Sequence, residues 1–261
     1  MKYFVPAGHN AQGFPVYAPD TASPAKAGYK SIFSRWIVVE NGVIQTSLKN
    51  MTILIGFGIS LALILMAVVS CYSGAVECTL SDFPMVSYVI ALNSMYDRIF
   101  ILLVTTLMYG VQQANIRAFY KKLHGVIPQA NNNWLFCYGL LSVFSLPAIG
   151  LFDCHAWNKI HGASAVVFFG FFGLYAFKLA GYMAANKDKF PESEQASIAS
   201  MKRASSTLFW ILGCLGLSML LFGSRVPTPF LEWACVLYYV NFFAIASATN
   251  EYYDSVHAFD D

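Results

Sequence analysis

From Thr52 to Thr249 the chain repeats one pattern, an apolar run of about twenty residues followed by a polar or turn-forming connection. Six runs stand out, at 52–71, 99–118, 134–152, 162–181, 207–224 and 230–249. A run of that length crosses the hydrocarbon core as a helix, in which every backbone N–H and C=O finds a partner within the segment. The two-residue alternation of a membrane β-barrel strand is missing, because the runs are continuously apolar. The predicted fold class is all-α, a polytopic membrane protein built as a six-transmembrane-helix bundle.

Composition agrees with the pattern. Of 261 residues, 57% are hydrophobic and 11% charged, against about 25% charged in an average soluble domain. Positive connections stay on the inner, cytoplasmic or matrix side of a membrane. With the N-terminus inside, that side receives Lys2, Lys26, Lys30, Arg35, Lys49, Arg117, Lys121, Lys122, Lys178, Lys187, Lys189, Lys202 and Arg203. Arg98, Lys159 and Arg225 remain outside. Both termini are therefore expected on the inner side. The net charge of +2 gives no reason to expect nucleic-acid binding.

Three segments follow: an inner-side arm at 1–50, the six-helix domain at 51–256 and a short inner tail at 257–261. The arm has neither the apolar core of a cleavable signal peptide nor the Arg-rich look of a transit peptide, so the first span is expected to direct insertion. It is rich in Pro and Gly yet carries Tyr3, Phe4, Phe14, Tyr17, Tyr29, Phe33 and Trp36, more aromatics than a disordered tail usually holds. Protein partners are expected to meet this arm and the inner loops 119–133 and 186–205. The second loop reads as a solvated linker, with a short surface helix from Glu192 to Arg203 as the alternative.

Within the runs, Gln112, Gln113, Asn115 and Asn241 are polar at membrane depth or its inner edge and should face the bundle interior. Pro147 should kink the third helix. Small residues at Gly162, Ala163, Ser164, Ala165, Gly170 and Gly173 should let the fourth approach its neighbours closely.

Candidate chemistry gathers on the outer side. Asp153, Cys154 and His155 are consecutive and splay apart, whereas zinc wants about four ligands with tetrahedral reach, so no metal site is expected. Ser81, Asp82, Asp97, Arg98, His161, Arg225 and Glu232 form a looser set. In a lipid-modifying enzyme, His161 with Asp82 or Glu232 would supply the acid and base. The structural alternative pairs Asp82, Asp97, His161 and Glu232 with Arg98, Lys159 or Arg225 to pin loops over the bundle. Cys71 and Cys78 can bridge in an oxidising compartment, while Cys137, Cys214 and Cys235 read as small packing residues within spans.

At these residues the chain resembles the DRAM/FRAG/SFK family of six-span membrane proteins, over about 50–256. The family's outer Ser-Asp segment is resembled by Ser81 and Asp82 in "LSDFP", and its carboxylate-led entry to span two by Asp97 and Phe100 in "YDRIF". Arg117, His161 in "IHGASAVVFF", Glu232 and Trp233 in "FLEWACVLYY", and Tyr253 and Asp254 in "EYYDS" resemble its later positions. The usual Thr-Gly and Pro-Pro after Ser-Asp are replaced here by "FPMVSYVIALNSM".

The resemblance implies a helical bundle in internal membranes or the plasma membrane, tied to lipid handling, trafficking or kinase recruitment; an organellar inner membrane is the alternative compartment. Three functions follow: a non-enzymatic, lipid-associated adaptor or trafficking modulator, an accessory structural subunit of a membrane complex, and a lipid-modifying or GPI-anchor remodelling factor. Ser81, Asp82, Asp97, Arg98, His161, Arg225, Glu232 and Trp233 are the binding candidates. No cofactor is implied beyond a bound phospholipid or sterol.

Overall fold

The computed structural model describes the backbone of residues 4–9, 15–19, 37–40, 43–90, 95–152, 154–247 and 253–257, and side chains within 48–90, 101–152, 154–192 and 194–246. Six long helices carry the body: α1 (Leu48–Tyr72), α3 (Met95–Leu123), α4 (Gln129–Leu151), α5 (Asn158–Ala185), α6 (Glu192–Phe222) and α7 (Thr228–Ser247), with a short α2 at Val86–Ile90. Among the described residues, α1, α4, α5, α6 and α7 are long and apolar enough to cross a membrane. The chain is thus a membrane-embedded helical protein.

The helices close into a ring. Each of α3 to α7 packs against the long helix before it, and α1 packs against both α3 and α7. Aromatic and aliphatic side chains fill the centre, where Phe172, Tyr175, Phe242 and Phe243 are almost fully buried. Tyr239 sets its ring against both Phe168 and Phe172, with centroids 4.2 Å apart in each pair. Outward faces are apolar too: Phe57 is 65% exposed on α1 and Leu220 85% exposed on α6. Such faces belong against lipid tails, which carry no penalty for meeting them.

Polar side chains at membrane depth turn inward, as expected for groups that hydrocarbon cannot solvate. Asn115 donates to Thr52 Oγ1 at 2.8 Å, joining α3 to α1. Asn241 donates to Ser60 Oγ at 3.0 Å, joining α7 to α1. The Tyr239 hydroxyl donates to Gln112 Oε1, joining α7 to α3. Three helices are thereby tied to one another by their own side chains.

Close helix approach lies partly elsewhere than expected. A Cβ at Gly162 or Gly170 would meet open space, so neither marks a tight contact, whereas one at Gly173 would sit 2.5 Å from Leu212 Cδ1. The other tight places among the described residues are Gly56, where a Cβ would lie 3.1 Å from the Val240 carbonyl oxygen, Gly139, 3.0 Å from Ile116 Cγ2, and Gly150, 2.7 Å from Thr105 Oγ1. At Gly56 the obstructing atom is backbone and has little freedom to yield.

The helices also outrun the apolar windows. The stretch 192–205 is not a linker, since α6 runs unbroken from Glu192. Ile198, Met201, Ala204 and Leu208 are buried, a helical stripe within a polar-looking sequence. At the same end, Lys122 pairs with Glu194 at 2.6 Å and Lys189 donates to the Val126 carbonyl at 2.9 Å. The loop expected at 119–133 shrinks to the residues between α3 and α4. Pro147 sits inside α4 without ending it. Nearby, the Ser142 hydroxyl donates to the Phe168 carbonyl of α5 at 3.1 Å.

Short strands flank the helices. β1 (Phe4–His9) and β2 (Pro15–Pro19) form an antiparallel hairpin within a separate unit, Met1–Arg35. β3 (Ile37–Glu40), β4 (Val43–Ser47) and β5 (Tyr253–His257) form an antiparallel sheet in that order, so the segment entering α1 pairs with the one that follows α7.

Gly56→Val should push α1 off the Val240 carbonyl and cost about 1–3 kcal/mol, as overpacking of a tight contact does. A lower Tm in detergent, with Gly58→Val little changed because a Cβ at Gly58 meets open space, is the expected result.

Candidate functional site

Four of the outer residues marked in the sequence, Glu232, Trp233, Cys154 and His155, meet at one segment, residues 83–90, a plug whose α2 packs against α1, α3 and α7. Its apolar side chains face inward: Met85, Val86 and Val89 are buried, Val89 completely. The backbone of this plug would then be left short of partners, and the start of α7 supplies them. Glu232 accepts the Val86 N–H at 2.7 Å and also hydrogen bonds from the Ser87 amide and hydroxyl. A side-chain acceptor at the first turn of α2 satisfies N–H groups that the helix cannot.

Trp233, next in sequence, donates its indole N–H to the Pro84 carbonyl at 3.0 Å. Phe230 stacks on Phe83 with ring centroids 4.6 Å apart. From the other side the α4–α5 turn closes in. Cys154, buried, donates its thiol to the Ser87 carbonyl at 3.3 Å, and His155 stacks on Tyr88 at 5.6 Å. The two neighbouring residues considered for a metal cluster thus both grip α2, while Asp153 lies outside the described residues.

His161 is buried and its Nδ1 lies 2.8 Å from the Phe152 carbonyl oxygen, so it ties the first turn of α5 to the end of α4. Asp82 and Ser81 are exposed and bond locally: the Ser81 hydroxyl donates to Asp82 Oδ2 at 3.0 Å, and Thr79 Oγ1 accepts the Asp82 N–H at 3.0 Å. Arg225 is exposed, and its backbone N–H donates to the Phe222 carbonyl. The side chains of Asp97 and Arg98 lie outside the described residues. Neither Asp82 nor Glu232 forms an ion pair with Lys159 or Arg225 among the described residues. Glu232 pins the loop, but through backbone amides instead of ion pairs.

Cys71 and Cys78 form a disulfide, with Cα atoms 5.6 Å apart, that closes the chain as it leaves α1. Sequence reading missed the plug itself. Its signal was the apolar run "FPMVSYVIA" inside an outer connection, the same stretch that departs from the Thr-Gly and Pro-Pro pattern.

Removing the carboxylate should free the plug. In Glu232→Ala, hydrogen exchange at the Val86 and Ser87 amides should rise about tenfold or more, a buried donor left without its acceptor costing roughly 1–3 kcal/mol. Asp82→Ala, which touches only its own turn, should leave that exchange unchanged. No protein-family model, curated protein or solved structure matches the chain.

Proposed function

We propose that the protein is a six-span, non-enzymatic membrane protein of the DRAM/FRAG/SFK type, acting as a lipid-associated adaptor or trafficking modulator. The observation that carries this reading is the meeting of the positions the resemblance marks. The Glu232–Trp233 pair grips Pro84 and Val86, immediately after the Ser81–Asp82 turn, at one end of a closed helical ring. These side chains act on the chain's own backbone and make the loop part of the scaffold.

In this reading α3 supplies the sixth span. Its 29 residues exceed the roughly 20 needed to cross the hydrocarbon core, and it packs between α1 and α4. Pairing of β4 with β5 supports ends that share one side, and the excess of Lys and Arg names that side as inner. The Cys71–Cys78 disulfide then faces an oxidising compartment, where such bonds persist. Apolar outward faces meet lipid, and the polar inner end meets partners.

A second reading, an accessory structural subunit of a larger assembly, is favoured by one observation. The first 35 residues form a unit of their own, rich in the aromatic side chains that anchor protein interfaces.

Purification from native membranes into nanodiscs, followed by mass spectrometry of proteins and lipids, separates the two. A bundle carrying a defined lipid with substoichiometric partners is the expected result; a stoichiometric partner set, lost on deleting 1–45, establishes the subunit reading instead. His161→Gln should lower thermal stability without altering membrane lipid composition. Loss of a lipid product at unchanged stability would overturn the non-enzymatic assignment.

A further inference from the structure

At the end of the bundle opposite the plug, a groove of 520 Å³ opens between the end of α5 and the start of α6. Lys187, Lys202 and Arg203 line it together with Ala184, Ile198 and Ala199. No carboxylate lines the groove, and among the described residues none of the three cations forms an ion pair. Lys202 instead rests over the Phe177 ring at 4.5 Å, and Arg203 donates to Ser200 Oγ at 3.4 Å. Concentrated positive charge with no acid beside it calls for an anion.

The depth of the groove agrees. A hydrocarbon core of about 30 Å takes about 20 helical residues, so α6, with 31, must project beyond it. About 20 residues counted back from Phe222 reach Arg203, which places Lys202 and Arg203 at headgroup level. Trp134, 62% exposed near the start of α4 at this same end, is the kind of side chain that settles at the boundary. Headgroup depth is where the phosphate of a lipid lies, and what attaches the anion to the membrane is its acyl chains.

We infer that this groove binds the headgroup of an anionic phospholipid, its phosphate held by Lys187, Lys202 and Arg203 and its acyl chains running from there into the hydrocarbon. The inference deepens the lipid-associated reading above and rests on its membrane placement of α5 and α6. It adds a lipid class and a location to that reading.

The test is a native mass-spectrometry titration of the purified full chain in neutral detergent, with phosphatidylglycerol, phosphatidylcholine and inorganic phosphate as separate probes. Phosphatidylglycerol should bind more tightly than phosphatidylcholine. The variant K187Q/K202Q/R203Q should lose about tenfold or more of that preference, since each cation near an anionic headgroup contributes appreciably to binding. The charge-conserving variant K187R/R203K, with Lys202 kept, should retain most of it and shows that the fold survives change at these positions. Lys159→Gln, at the other end of the bundle, should behave as the parent chain. Equal phosphatidylglycerol binding by the glutamine variant and the parent overturns the proposal. Displacement of the lipid by millimolar inorganic phosphate overturns the lipid assignment in favour of a small-anion site. Because the titration uses the purified chain, discovery of stoichiometric protein partners in native membranes would defeat the adaptor reading while leaving this result standing.

Discussion

The contact between the first and last helices is the constraint on which the rest of the bundle depends. Helices adjacent in the chain are brought together by short connections, but α1 and α7 are distant in sequence and must find each other through their surfaces. They do so where Gly56 lets the Val240 carbonyl approach and where Asn241 reaches Ser60. In hydrocarbon there is no hydrophobic drive between helices, so close van der Waals packing and interhelical hydrogen bonds decide which faces meet. Once α7 is seated on α1, its inward face offers Tyr239 to Gln112 of α3 and to Phe168 and Phe172 of α5.

The same seating positions the plug. Because the first turn of α7 stands at the mouth of the ring, Glu232 and Trp233 face a loop that leaves α1 by way of the Cys71–Cys78 bridge. The loop returns its apolar side chains to the core and its backbone polar groups to α7 and to the α4–α5 turn. Burial and hydrogen bonding then support each other: Val89 is sealed only because Val86 and Ser87 are not left unpaired. A His, a Cys and a carboxylate near one another in a sequence suggest chemistry, yet each here closes a gap in backbone bonding.

The two ends of the bundle differ in kind. The plugged end carries the long connection between α1 and α3 and is held by contacts within the chain. At the other end α6 extends past the length of a membrane span, carries the Lys122–Glu194 pair and exposes cations that have no acidic partner among the described residues. One end is spent on stability and the other is left with charge to offer.

Much of this was legible in the chain. Apolar runs of span length specify helices because hydrocarbon leaves the backbone no other partner, and the inward turn of Gln112, Asn115 and Asn241 follows from the same scarcity of polar partners. Helix ends were less legible, since the stripe of Ile198, Met201 and Ala204 is masked by the charged residues around it. Which glycines mark close contacts was only partly legible: Gly170 and Gly173 look alike in sequence, and only the neighbour at Leu212 separates them. By itself the sequence determined the helical, membrane-embedded class, because that depends on local hydropathy and backbone pairing. Only the tertiary structure decided what Glu232, Trp233, Cys154 and His161 do, because each of those roles depends on a backbone group brought close by folding.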